Sequence, residues 1–355
     1  MAEAHVGMVP DPSRPGEVGC NATGCHSAEP FASACSSSDC HPTHAENWTS
    51  SLHANLQGEV NAVEGRCAID LDQSGFRPSF NNQCAQCHAT CGQCHVSRPN
   101  SSGGGFVYLE GATVSRSHLF QSKPHMTEQC TACHGTRIAT DYLKQGDGIP
   151  ETNVEDIHWR LLSFTCIDCH SGNELHGNGQ VLDHRYEVAE MPRCEKCHSS
   201  LEPGNDFHDF HVGVEGRDLQ CQICHSQPYR NCTGCHNTVD GTVYDEEFNL
   251  KIARNDPTAF PYRQDNPYRP DNKGYDFVLV RHVPVARNTY EHWGLVDMPN
   301  YTGKPTWLYT SPHNIVKNTP RAADCGSCHD SDFYLKTSDL TTPDERTANA
   351  GIVMD

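Results

Sequence analysis

Cys84-Ala85-Gln86-Cys87-His88-Ala89-Thr90-Cys91-Gly92-Gln93-Cys94-His95 carries the motif Cys-x-x-Cys-His twice in succession. The motif recurs at Cys130/Cys133/His134, Cys166/Cys169/His170, Cys194/Cys197/His198, Cys221/Cys224/His225, Cys232/Cys235/His236 and Cys325/Cys328/His329, eight times in all. Two further pairs, Cys20/Cys25/His26 and Cys35/Cys40/His41, keep the Cys-His dipeptide and loop out two more residues. Twenty of the 21 cysteines are thereby used, and Cys67 is left over. Zinc knuckles and disulfide loops also pair cysteines, but neither needs histidine as the next residue. Here all ten pairs have it, in a chain with only 23 histidines.

The spacing suits one chemistry. Two thiols reach the two vinyl groups of a single porphyrin, and the next residue turns its imidazole onto the iron. The ten motifs therefore predict ten covalently attached haems c, with the histidine of each motif as proximal ligand. Spread from Cys20 to His329, they make the chain resemble the multihaem c-type cytochromes, among which the stretched spacing also occurs, as in small multihaem cytochromes of sulfate reducers. The resemblance implies a location outside the cytoplasmic membrane, periplasmic or extracellular. It also implies redox partner proteins or extracellular acceptors, and it includes relatives that polymerise into extracellular filaments.

Ten irons ask for ten second ligands, and thirteen histidines stand outside the motifs. His53, His118, His125, His158, His176, His184, His208, His211, His282, His292 and His313 are the candidates. His5, near the terminus, and His44, three residues beyond His41, are the weakest. The six methionines include Met1 and Met354, and none has a motif-like setting, so bis-histidine coordination is the expectation.

Only 36% of the 355 residues are hydrophobic, mean hydropathy is −0.64, and Gly (28) and Pro (22) are plentiful. That predicts a mainly irregular chain with short α-helices and little β, packed around haems that replace an aliphatic core. The motifs divide the sequence into 1–66 with two haems, 67–240 with seven and 241–355 with one. His282, His292 and His313 precede that last motif, and at least one or two of them are expected to reach back to other irons, tying the segments into one folding unit. Residues 241–275, rich in Asp, Asn, Pro, Tyr and Arg, read as an irregular surface excursion.

A formal charge of −19 disfavours nucleic acid as a partner. The longest apolar run, of the Phe277-Val278-Leu279-Val280 kind, is far too short to span a bilayer, so no transmembrane segment is expected. The opening Met1-Ala-Glu-Ala-His5 has no apolar run of the kind a secretion leader needs. Asp70-Leu-Asp72-Gln-Ser74-Gly75 resembles half of a calcium loop, yet Asn81 stands where a bidentate Glu would close it, and an Asx turn is the plainer reading. Cys67 is read as a buried thiol, with an intermolecular disulfide or an unusual iron ligand as the sharper alternatives. Electron transfer without catalysis is the expected function. The alternative is reduction of a small nitrogen or sulfur oxyanion at one open haem, but no Cys-x-x-Cys-Lys motif announces such a site.

Overall fold

A computed structural model describes residues 42–83, 91–95, 122–146, 149–201, 204–228, 250–283 and 285–355. Cys20, Cys25, His26, Cys35, Cys40, His41, Cys84, Cys87, His88, Cys232, Cys235, His236 and the candidate ligands His5 and His118 lie outside the described residues. Among the described residues the chain forms short helices joined by irregular segments, plus one small antiparallel sheet. The longest described helix, Gln57–Cys67, has 11 residues. Helices this short are marginal alone, so local caps and tertiary contacts must hold them. Asp70 shows the local part: its carboxylate accepts from the backbone N–H groups of Asp72 and Gln73 and starts the helix Leu71–Ser74 as an Asx turn. No described helix is long and apolar enough to cross a membrane.

The chain divides into two compact units. The first comprises residues 1–58, 81–135 and 164–191. Its only buried hydrophobic side chains, among those described, are Leu56 and Met126. Polar links do much of the positioning instead. Gly177 (φ 76°), which ends the helix Gly172–His176, passes so close to the 47–51 turn that a Cβ there would meet the Asn47 carbonyl oxygen at 2.8 Å. The Ser50 hydroxyl accepts from Gly179 N–H at 3.0 Å.

The second unit comprises residues 59–80, 136–163 and 192–355. Its sheet has the order β1 (Leu250–Arg254), β2 (Phe277–His282), β3 (Trp307–Tyr309), with Ile252 opposite Leu279 and Val280 opposite Tyr309. The short apolar run at Phe277 is thus the central strand, buried on both faces. Ile223, Leu250, Ile252 and Leu279 form a core against which Cys224, Cys328, Phe333 and Tyr334 pack. This unit therefore has an apolar core made of its own side chains.

Residues 250–275 depart from the expected surface excursion. They supply β1 and the fully buried Phe260, and some of their polar residues, Asn255 and Gln264 among them, are turned inward to serve the backbone, while Asp265 and Asp271–Lys273 stay exposed. Asn255 donates to the Arg263 and Tyr275 carbonyls, and Gln264 donates to the Phe260 carbonyl. Elsewhere in this unit the buried Arg66 guanidinium donates to the carbonyls of Tyr301, Lys304 and Pro305, fastening the helix Gln57–Cys67. Beside it the Cys67 thiol is buried, and desolvation pushes it up to about 11.

Candidate functional site

Six motifs fall within the described residues, and each places its second cysteine and its histidine on or beside a single helical turn. The turns are fixed locally. Thr165 and Asp168 form a reciprocal capping box at Cys166–Cys169, and Asp324 accepts from Ser327 N–H ahead of His329. Gln220, fully buried, ties the helix Cys221–His225 to the sheet: its side chain donates to the Thr310 carbonyl and accepts from Leu279 N–H.

Five histidines of these motifs each face a histidine from outside the motifs. Ring centres are 6.2 Å apart for His134 and His53, 5.9 Å for His95 and His176, 6.2 Å for His198 and His158, 6.0 Å for His225 and His208, and 6.0 Å for His329 and His211. The first two pairs lie in the first unit and the other three in the second. A metal held between two imidazole nitrogens, each about 2.0–2.1 Å away, sets ring centres about 6 Å apart. Ring planes cross at angles from 15° to 81°.

The second ring nitrogens are also directed. His158 Nδ1 lies 2.9 Å from Asp156 Oδ1, and His170 Nδ1 lies 2.8 Å from Glu174 Oε1. His225 Nδ1 lies 3.2 and 3.1 Å from the Val316 and Lys317 carbonyls. Hydrogen bonds at Nδ1 orient an imidazole and leave Nε2 for a metal, the usual support of metal-binding histidines. Burial holds His53, His176 and His225 below the ordinary histidine range, which favours the neutral ring that ligates. The hydrogen bond that His158 makes to the Asp156 carboxylate shifts it the other way.

Each of the five pairs offers two imidazoles. Among the described residues no three histidine, cysteine or carboxylate side chains gather as ligands, whereas structural zinc takes four. A porphyrin would bring nitrogens of its own and would ask of the protein no more than the two imidazoles of each pair. Large apolar side chains flank the pairs in the open: Leu161 and Leu162 follow His158, and Phe207, Phe210 and Val212 bracket His208 and His211. Such surface suits an apolar ring.

Other candidates have different surroundings. His44 stacks on His176 at 4.7 Å, closer than a metal-bridged pair. His125 precedes the wide helical turn Met126–Cys130, with Nδ1 3.0 Å from Thr127 Oγ1. His282, on β2, directs Nε2 to Glu345 Oε1 at 2.8 Å, and His292 lies edge-on to Trp293. His184 and His313 are half-buried.

The motif thiols differ in exposure. Cys133 and Cys197 are exposed, as are Cys169 and Cys325, whereas Cys91, Cys94, Cys130, Cys166, Cys194, Cys221, Cys224 and Cys328 are half-buried. In two places the physical reason is that first cysteines of different motifs meet each other. A hydrogen bond between Cys130 and Cys166 lowers Cys130 to about 7 and raises Cys166, and one between Cys194 and Cys221 raises Cys194 and lowers Cys221. Those thiols are drawn inward toward one another, and Cys133, Cys169 and Cys197, three residues further on, are left on the solvent side of their turns.

Sequence reasoning missed Asp156, Glu174 and Gln220. The spacings Asp156-x-His158 and His170-x-x-x-Glu174 were visible signals for the first two.

No family model matches the chain, and no solved structure matches it. Among curated proteins it is similar to testin of Rattus norvegicus and testin of Mus musculus, each 24% identical over 186 residues. Those residues are 52% of this chain and 32% of each testin, so the chain spans about a third of the length of these relatives. The finding corrects the family label. Testin is not a cytochrome, and the terms that came with the cytochrome resemblance, multihaem cytochrome c and filament among them, are withdrawn as a classification. What bears on function is the chemistry of the chain's own residues.

Proposed function

We propose that this chain carries electrons through a row of haems bound covalently at its Cys-x-x-Cys-His and Cys-x4-Cys-His motifs, with two histidines on most or all irons. The observation that carries the reading is the set of five histidine pairs, each joining a motif imidazole to one from elsewhere at 5.9–6.2 Å. One further contact, His44 on His176, joins two histidines from outside the motifs at the shorter distance of 4.7 Å. Bound haem supplies a one-electron iron couple. The chain's part is to anchor the ring through two thiols, to hold both imidazoles along one axis, and to fix their tilt through Asp156, Glu174 and the Val316 and Lys317 carbonyls.

The reading extends to a location outside the cytoplasmic membrane, where redox proteins or extracellular acceptors take the electrons. Intact-mass measurement on native protein, with electron paramagnetic resonance, tests it. Ten haem additions and low-spin bis-imidazole signals are expected. A chain of unmodified cysteines would sink the reading, and a five-coordinate high-spin haem would point instead to reduction of a small oxyanion at an open iron.

A further inference from the structure

We infer that three centres of the second unit form one row in the order His198, His225, His329, which departs from their order along the chain. The inference rests on the haem reading above and adds the sequence of transfer, which the motif spacing could not give.

The link between the second and third centres is the helix Asp206–His211. Asn205 caps it by accepting from the N–H groups of Phe207 and His208. His208 faces His225 and His211 faces His329. Residues three apart on a helix stand on one face, with Cβ atoms about 5–6 Å apart. Two centres whose second ligands are spaced so closely must be immediate neighbours. The attachment side agrees, since Cys224 and Cys328 pack against the same core of Ile223, Leu250, Ile252 and Leu279.

The link between the first and second centres is the segment 315–317. Ile315 N–H donates to Asp156 Oδ2 at 2.7 Å, and the Ile315 carbonyl accepts from Ile157 N–H, so this segment abuts the turn that presents His158. The next residue, Val316, donates its N–H to the His225 carbonyl, and His225 Nδ1 reaches the Val316 and Lys317 carbonyls. Cys194 and Cys221, the first cysteines of the two motifs, are within hydrogen-bond reach of each other. The His158/His198 centre and the His208/His225 centre thus share a segment at one edge and touching thiols at another. Electron transfer falls off steeply with distance, so the order of contact is the order of transfer. The C-terminal motif at Cys325 follows directly on the motif at Cys221, although Cys232, Cys235 and His236 intervene in sequence.

An electron cryo-microscopy map of the native full-length protein, taken with intact mass of the same material, tests the order. The expected map has the iron of His225 between those of His198 and His329, with His208 and His211 as their sixth ligands at the second and third. A haem-loaded chain in which another iron separates those of His225 and His329 overturns the order and leaves the electron-transfer reading standing. A chain without haem mass overturns both. In solution, His211→Ala should convert one haem, that of His329, from low to high spin. Conversion of none, in a variant with full haem mass, also counts against the arrangement.

Discussion

His158 and Asp156 are joined twice: Asp156 Oδ1 lies 2.8 Å from the His158 backbone N–H and 2.9 Å from its ring Nδ1. The carboxylate is 2% exposed and also accepts from Ile315 N–H. A buried anion on Nδ1 makes the imidazole a stronger donor to a metal at Nε2. Asp156→Asn should raise the reduction potential of one haem and leave the others in place, read by spectroelectrochemical titration. Asp156→Ala should in addition lower unfolding stability by about 1–3 kcal/mol, because the Ile315 and His158 N–H groups lose their acceptor. An unchanged set of potentials in Asp156→Asn counts against carboxylate control of that centre.

Replacing His208 and His211 separates two centres served by one helix. Each single alanine variant should show one high-spin haem by electron paramagnetic resonance, and the double variant two, with haem mass unchanged because attachment depends on the motif cysteines. Equal effects from Asp206→Ala or Phe210→Ala would mean that the helix, and not its imidazoles, is what matters.

Arg66 tests the frame apart from any cofactor. Its guanidinium is buried and donates to three carbonyls while lying over the Tyr301 ring. Arg66→Ala should cost roughly 2–4 kcal/mol in denaturant unfolding, since the carbonyls lose a charged donor. Arg66→Lys should recover only part, because an ammonium cannot span the three acceptors as a planar fork does.

Gly274 sits against the Arg263 carbonyl where the 263–274 turn closes on itself, with Gly274 N–H donating to Gln264 at 2.8 Å. A Cβ at that position meets backbone, which cannot rotate away. Gly274→Ala should destabilise the second unit by about 2 kcal/mol or more, measured as a lowered unfolding midpoint.

The proposed attachment points were legible in the sequence, because covalent attachment would dictate spacing within a few residues and leave a local record. Which of those thiols stand open to solvent was not written there: Cys133 and Cys197 have the same spacing as Cys224, yet they are exposed and it is half-buried. Nor was it legible which imidazole faces which, since His53 and His134, or His211 and His329, are far apart in sequence and meet only through tertiary structure. Stretch 250–275 was misread for a different reason. Composition reports polarity but not direction, and Asn255 and Gln264 point inward to backbone carbonyls around a buried Phe260. The expectation of a chain without an aliphatic core fails in the second unit, which buries Ile252, Val278, Leu279 and Val280 around its sheet.

The helix Asp206–His211 is six residues long, too short to persist without support. Its two imidazoles therefore stay in place only while their partners on two distant parts of the chain hold them. Either grip alone still anchors the turn, so it survives the loss of one and opens only when both are gone. In hydrogen exchange the amides of this turn should therefore be protected longer than a free helix of six residues allows, and a fault at one end is contained by the hold at the other.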